Sequence, residues 1–257
     1  MEEDRPILNA PDVLAWRRGV RRTGRTDPIE RALLVADRSA VEDVRRRRRG
    51  RAIDGPSGPV IVLQTGGTAV PGGTIAVAAP PGVGAPAAAI AVEELVALGA
   101  REIVYIGYAG GLDPALAAGD VIVIADALRD EGVSAQYGGA GPTSTADPAA
   151  TTATKRILSQ AGLEPRIGRS WTTDALYRET RSEVGRARAS EAVVVDLETA
   201  AVFAVAVALG RAAAGALIVG DRLGSGRWEP PSDLEAIRRR LRAVADTMLD
   251  AWLAHAR

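Results

Sequence analysis

Short, fully apolar runs recur along the chain and alternate with amphipathic or alanine-rich stretches. The apolar runs predict strands at ALLVA (32–36), PVIVLQ (59–64), TIAVAAP (74–80), REIVYIG (101–107), DVIVIAD (120–126), RIGRSWTTD (166–174), AVVVD (192–196) and AAGALIVGD (213–221). The intervening stretches predict helices at 13–22, 39–51, 87–98, 147–161, 182–190, 199–210 and 232–253. Strands that are apolar throughout are typical of parallel sheets covered on both faces. The pattern therefore predicts an α/β fold, a three-layer α/β/α sandwich around a mostly parallel mixed sheet.

Length and composition favour one domain. The chain has 257 residues, of which 47% are hydrophobic and 25% are charged, and this fits a single domain over 1–257 better than two small ones. Residues 1–30 are polar and arginine-rich, so we interpret them as an N-terminal extension. The arginine run at 45–49 is interpreted as the solvated end of a helix, with an anion site as the alternative.

The charge balance and the residue inventory exclude several classes of function. Lys+Arg and Asp+Glu are both 32, so nothing favours nucleic acid or a membrane as a partner. Cysteine is absent and the one histidine is His255, which argues against thiolate chemistry, a Ser-His-Asp triad and a multi-histidine metal site. We expect neither a metal nor a cofactor. The acidic N-terminus lacks an apolar signal core, so a cytoplasmic location is expected.

Polar residues follow several predicted strands, at the positions where open α/β sheets bind ligands. These residues are Asp126, Asp130, Glu131, 171–174, Asp196, Glu198, Asp221 and Arg222. Without a usable histidine or cysteine, carboxylates must carry any acid–base chemistry. Taken alone, Glu198 is explained by a helix N-terminus and Asp221 by a turn or cap. Together, two carboxylates at the ends of consecutive strands favour a site.

Four segments, in this order along the chain, carry a resemblance to a known family. They are the Gly-rich turn and helix GVGAPAAAIAVEEL (82–95), IGYAGGLDPALAAGDVIVIADALRDEG (106–132) with its AGG turn, WTTDALYRET (171–180), and VVVDLETAAVFAVA (193–206) with LIVGD (217–221). They resemble the nucleoside phosphorylase–nucleosidase superfamily over about residues 30–228. The resemblance implies cleavage of the N-glycosidic bond between a nucleobase and a pentose. It also implies a homo-oligomer, a dimer or a hexamer.

The resemblance implies a role for individual residues. Glu198 matches the ligand of the ribose hydroxyls, and Asp221 matches the purine-branch acid that protonates N7 of the leaving base. Leu176 and Tyr177 match the aromatic pair under the base, where Leu176 lacks the ring. The remaining residues of the implied nucleoside site are Ala109, Gly110, Trp171, Thr172, Asp196 and Leu197. The Gln and Arg that hold uracil in uridine phosphorylases are unmatched in ALYRETRS, so a purine-type nucleoside is expected.

The side chains that bind orthophosphate in the family are unmatched here. Ala36 falls on the family's glycine and Ala40 on its first arginine. Tyr105 falls on the second arginine and Tyr108 on the Ser/Thr. A tyrosine hydroxyl donates a hydrogen bond but brings no positive charge. Ordinary phosphorolysis is therefore not the expected reaction.

Three hypotheses remain open. The first is hydrolysis with water as the nucleophile, for which the early segment LLVADRSAV (33–41) offers only Asp37 as an activating carboxylate. The second is phosphorolysis with an anion cage rebuilt from Arg38 or the basic helix, and phosphate is then a second small-molecule partner. The third is a catalytically weakened nucleoside-binding or pathway-specific protein.

Overall fold

A mixed sheet forms the middle layer of the protein. The computed structural model describes residues 6–21, 29–55, 57–64 and 74–254; His255 lies outside them. Within these ranges the strands are β1 Ile29–Val35, β2 Arg51–Asp54, β3 Pro59–Gln64, β4 Thr74–Ala78, β5 Glu102–Gly111, β6 Val121–Asp130, β7 Thr143–Thr145, β8 Arg166–Thr173, β9 Ala192–Asp196 and β10 Ala212–Arg222. All ten belong to one sheet.

Five strands of this sheet close into a ring. The order is β10-β6-β8-β9-β5-β1-β4-β3-β2, and β10 also pairs with β5. Pairing is parallel among β4, β1, β5 and β10 and among β6, β8 and β9, and antiparallel elsewhere. The ring brings the carboxyl ends of β5, β9 and β10 together beside that of β1.

Helices cover both faces of the sheet. They are α1 Ala10–Arg21, α2 Arg38–Arg47, α3 Ala85–Ala97, α4 Pro148–Gln160, α5 Arg181–Ala189, α6 Thr199–Ala208 and α7 Leu234–Ala254, with single 3-10 turns at Ser134–Tyr137 and Leu176–Arg178. Side chains of α1, α3 and α6 share one buried cluster with the sheet, and those of α2, α4 and α7 share a second. On β5, Ile103 and Tyr105 belong to the first cluster, and Val104 and Ile106 to the second. The predicted α/β sandwich is confirmed.

Most predicted helices and strands lie close to the observed ones, and two need correction. The helix predicted over 39–51 ends at Arg47, and Arg51 begins β2. The AGG segment, predicted as a turn, is the end of β5, because Gly110 and Gly111 pair with β9 and β10. A Cβ on Gly110 would lie 2.6 Å from Leu223 Cδ1 and 3.0 Å from Val195 Cγ1, so close packing explains this glycine.

The N-terminal segment and the basic run both pack on the domain. Leu14 of α1 is buried in the cluster shared with α3, and Arg17 Nη1 donates to the carbonyl of Gly55 at 3.1 Å. In the basic run, the partners are Glu42 for Arg45, Asp43 for Arg46, Asp246 for Arg47, and Asp246 and Asp250 for Arg48. This agrees with a helix end tied to α7. No helix among the described residues has the length and apolar content needed to cross a membrane.

Candidate active site

A cavity of about 430 Å³ opens at the carboxyl ends of β1, β5, β9 and β10. Its size is within the usual range for small-molecule sites. Ten of the residues singled out from sequence line it: Ala36, Tyr105, Tyr108, Ala109, Gly110, Leu176, Asp196, Leu197, Glu198 and Asp221. The far wall comes from the segment after β10 and from the first turns of α7. The site is therefore assembled from six separate parts of the chain.

Glu198 is a buried carboxylate in the wall of this cavity, at the junction of β9 and α6. Its Oε1 accepts the N–H of Gly84 at 2.7 Å, and its Oε2 accepts the hydroxyl of Tyr105 at 3.1 Å. Burial, and then the charge of Asp196, raise the pKa of Glu198 to about 7. Each oxygen keeps lone pairs for a further donor, so the group can bind hydroxyls of a ligand.

Asp196 holds the start of α6 in place. Its Oδ2 accepts the N–H groups of Glu198 at 3.0 Å and Thr199 at 2.7 Å, as a helix N-terminus requires. Its Oδ1 accepts the hydroxyls of Ser170 at 2.6 Å and Thr172 at 2.8 Å. These bonds position the backbone of Glu198. Asp196 and Thr172 were expected to bind substrate, and both use these polar atoms in bonds within the protein.

Tyr105 fills the space between β5 and Glu198. Its side chain is fully buried and lies along the strand over Gly107, two residues further on the same face. A Cβ on Gly107 would lie 2.5 Å from the Tyr105 hydroxyl oxygen. Burial, and then the charge of Glu198, hold the pKa of Tyr105 well above its ordinary value, so the hydroxyl stays a donor.

Gly107→Ala is expected to destabilise the fold by about 3 kcal/mol, because the new methyl group overlaps the Tyr105 ring. Thermal and urea unfolding would measure the loss. Gly185→Ala is the matched control, since nothing lies within 4 Å of a Cβ there and helix α5 favours alanine. An undiminished loss when Gly107→Ala is made in a Tyr105→Leu background would contradict the assigned overlap.

Tyr108 points to the opposite face of β5 and contacts the early segment. Its hydroxyl donates to Asp37 Oδ2 at 3.2 Å, and Asp37 Oδ1 caps α2 by accepting the N–H of Ser39 at 2.8 Å. Burial opposes ionisation of Asp37, but the hydrogen bonds from Ser39, Ala40 and Tyr108 prevail and lower its pKa. Asp37 is thus a capping carboxylate, and it does not line the cavity.

The early segment supplies no cation to the cavity wall. Arg38 donates to the carbonyl of Pro81 at 2.6 Å and ties α2 to the loop after β4. Ala40 is buried inside α2. Among the described residues that line the cavity, Arg238 of α7 is the one cation, and its Nη1 lies 3.8 Å from Glu235 Oε2. The anion cage expected for phosphate is therefore not formed by Arg38.

Asp221 and Glu179 also line the cavity. The indole N–H of Trp228 donates to Asp221 Oδ2 at 2.6 Å. Glu179 is half-buried, and burial, followed by the charge of Asp221, raises the pKa of its carboxyl to about 7. Leu176 lines the cavity too and is half exposed.

Two residues expected under the base lie elsewhere. Tyr177 is 96% exposed and does not line the cavity, because successive residues of the single turn Leu176–Arg178 project in different directions. Trp171 is buried against Leu112 and Val184, and its indole N–H donates to Asp130 at 2.9 Å. No group of three or more His, Cys, Asp or Glu side chains in the described ranges is placed to hold a metal ion.

Sequence reasoning missed three polar or aromatic side chains of the cavity wall. They are Glu179, Trp228 and Arg238. A tryptophan in a polar loop directly after a site strand is a signal that could have pointed to Trp228, but it was not used. Glu179 and Arg238 carry no comparable signal, because exposed glutamates and arginines are common on loops and helices.

Comparisons with known proteins identify related sequences. A family model described as the phosphorylase superfamily matches residues 30–253. A uridine phosphorylase of Thermococcus kodakarensis is 35% identical over 96 residues, which are 37% of this chain and 35% of that protein. A guanosine phosphorylase of Halorubrum lacusprofundi is 31% identical over 150 residues, 56% of this chain and 62% of the relative. The chain thus matches between about a third and three-fifths of the length of these two relatives.

Solved structures share the fold. The purine nucleoside phosphorylase of Toxoplasma gondii, solved with immucillin-H, superposes with a TM-score of 0.75 at 22% identity, covering 91% of this chain and 95% of the other. The methylthioadenosine/S-adenosylhomocysteine nucleosidase of Campylobacter jejuni superposes with a TM-score of 0.73 at 16% identity, covering 86% and 97%. At these identities the likeness speaks for the fold alone.

Proposed function

This chain belongs to the phosphorylase superfamily of nucleoside phosphorylases and nucleosidases, and from that premise we propose that it hydrolyses the N-glycosidic bond of a purine-type nucleoside. The observation that carries the proposal is the contact between Tyr105 and Glu198 over Gly107. Tyr105 falls where the resemblance expects the second arginine of the orthophosphate cage, and its hydroxyl is bonded to the carboxylate of Glu198. Water then takes the place of phosphate as the nucleophile.

Glu198 would bind and stabilise the sugar. A carboxylate accepts hydrogen bonds from vicinal ribose hydroxyls, and its charge favours the positive charge that develops on the pentose as the C1′–N bond breaks. A pKa of about 7 also suits a group that accepts a proton from water near neutral pH. The bonds from Gly84 and Tyr105 keep the carboxylate oriented, so no reorganisation accompanies the reaction.

Asp221 would protonate the base. As the C1′–N9 bond breaks, the bonding electrons go to the purine, and a proton delivered to N7 neutralises the leaving group. The water oxygen bonds to C1′ and its proton passes to the Glu198 carboxylate, so the products are the free base and the free pentose. Exchange with solvent then returns Glu198 and Asp221 to their starting protonation. Asp221 lines the same cavity as the sugar-binding carboxylate, as do Glu179 and Leu176.

Phosphorolysis is the second candidate, since the two curated relatives are a uridine phosphorylase and a guanosine phosphorylase. Arg238 is the cation that would then face phosphate. Against this, an anion beside Glu198 would meet a negative charge and a Tyr105 hydroxyl that is already donating. Loss of charge-assisted bonds costs about 1.5–3 kcal/mol each, which favours water.

Base release is expected to be independent of phosphate. The protein would be incubated with inosine, adenosine, methylthioadenosine and uridine, with and without phosphate, while the free base and the sugar product are followed. We expect a purine nucleoside to be cleaved at rates within about two-fold in both conditions, with free pentose as the product. Phosphate dependence with a pentose 1-phosphate product would replace hydrolysis by the second candidate.

Two further results of the same experiment are informative. Cleavage of uridine alone would overturn the purine assignment. No cleavage, combined with a thermal shift on adding a nucleoside, would indicate a nucleoside-binding protein. We also propose a homo-oligomer, a dimer or a hexamer, which light scattering after size-exclusion chromatography would measure.

A further inference from the structure

Trp228 is a large, exposed aromatic side chain that contacts Asp221 in the cavity wall. It is 67% exposed, yet its indole N–H is bonded to Asp221 Oδ2 at 2.6 Å. It lines the cavity together with Leu176 and Leu223. An exposed tryptophan leaves apolar surface in water, so one held in this way at a cavity is suited to cover a ligand.

The two ends of the loop that carries Trp228 are hydrogen-bonded to each other. The N–H of Arg222 donates to the carbonyl of Glu229 at 3.0 Å, and the N–H of Glu229 donates back to Arg222 at 2.8 Å. The two side chains also form an ion pair. This antiparallel bridge continues β10 and makes residues 222–229 a short hairpin-like loop.

The middle of the same loop is also hydrogen-bonded, both within the loop and to the rest of the domain. Gly226 has φ +78°, a conformation that favours glycine, and its N–H donates to the carbonyl of Leu223 at 2.9 Å. Its own carbonyl accepts from Arg181 Nε of α5 at 3.2 Å. Leu223 donates to the carbonyl of Gly111 at 2.8 Å. Trp228 is therefore presented by a loop that is bonded to β5 and α5, not by a free segment.

We propose that Trp228 supplies the aromatic face on which the leaving base stacks. Leu176, in the same cavity, stands where the resemblance expects a stacking ring, and Tyr177 is turned away from it. A nucleobase is planar and aromatic, and it gains most from an aromatic partner. The ring that the turn Leu176–Arg178 does not provide is thus supplied by the loop after β10.

This inference rests on the proposed function, because it assumes that a nucleobase binds beside Asp221. Trp228 would then have two roles, since it stacks on the base and its indole N–H also orients Asp221, the proposed acid. The two roles have separate signatures. Loss of stacking weakens the binding of a free base, whereas loss of the indole hydrogen bond to Asp221 lowers kcat with base affinity kept.

The test uses Trp228→Leu and Trp228→Phe in the full chain, with Trp16→Leu as the matched control. Trp16 is 66% exposed on α1 and does not line the cavity. Dissociation constants for hypoxanthine, adenine and uracil would be measured by calorimetry. We expect the base that the unaltered protein binds best to bind roughly 10- to 100-fold more weakly to Trp228→Leu. Trp228→Phe, which keeps a ring, should stay within about three-fold, and Trp16→Leu should be unchanged.

A further variant tests whether an aromatic ring at position 176 can replace that of Trp228. Leu176→Phe in the Trp228→Leu background is expected to recover at least about half of the lost affinity, on a logarithmic scale. Unchanged base affinity in Trp228→Leu, with base release intact in the unaltered protein, would overturn the stacking role and leave the proposed function standing. If the unaltered protein neither binds a base nor cleaves a nucleoside, both are overturned.

Discussion

Replacing Glu198 with glutamine is expected to lower kcat for base release by about 10²–10³-fold. The change removes the negative charge in the cavity wall while keeping the size of the side chain. The amide oxygen can still accept the N–H of Gly84, and the amide nitrogen can donate to the Tyr105 oxygen, so the fold should persist. Steady-state kinetics, with the nucleoside that is cleaved fastest in the incubation with and without phosphate, would measure the change in kcat. Thermal unfolding would show whether the fold persists.

Glu164→Gln is the matched control for this substitution. Glu164 is exposed and does not line the cavity, so its variant should keep the unaltered rate. If Glu198→Gln left kcat within about three-fold of the unaltered protein, a sugar-stabilising role for Glu198 would be excluded. A variant that fails to fold would show as a lost thermal transition rather than as a slow folded enzyme.

Asp221→Asn is expected to reduce kcat for inosine by about 10²–10⁴-fold, the range found for removal of a general acid. Asparagine cannot deliver a proton to N7, but its carbonyl oxygen can still accept the indole N–H of Trp228. The loop that carries Trp228 should therefore keep its place. The measurement is single-turnover release of hypoxanthine, compared between the variant and the unaltered protein.

A second substrate separates proton delivery from a general loss of binding. In 7-methylinosine the base is already cationic, so its departure needs no proton at N7. We expect the Asp221→Asn variant to cleave it with a much smaller loss, about ten-fold or less. Equal losses for inosine and 7-methylinosine would argue against Asp221 as the acid and for a role in holding the base.

Much of the fold followed from local patterns. The apolar runs correctly indicated β1, β3, β4, β5, β6, β8, β9 and β10, since a strand buried on both faces needs apolar side chains along its whole length. The short strands β2 and β7 were missed. The closure of β10 onto both β5 and β6 was also beyond local reasoning, because pairing between distant strands leaves no periodic signal.

The candidate site was predicted in part. Glu198 and Asp221 do line one cavity, because both lie at the carboxyl ends of apolar strands that meet there. Tyr177 and Trp171 do not, because the direction of a side chain after a strand depends on how the following turn packs. Glu179, Trp228 and Arg238 reach the cavity from a turn, a loop and a helix, respectively. No sequence motif predicts how these elements pack against the strands.

By itself, the sequence determined the order of elements, the layered α/β class and the two carboxylates at strand ends. These features are local, since each depends on the polarity of neighbouring residues. Only the tertiary structure decided what surrounds those carboxylates. Tyr105 reaches Glu198 because Gly107 has no side chain that would overlap the tyrosine ring. Trp228 reaches Asp221 because the two ends of the loop after β10 are hydrogen-bonded to each other. Both contacts depend on the packing of segments against one another, which no single stretch of sequence encodes.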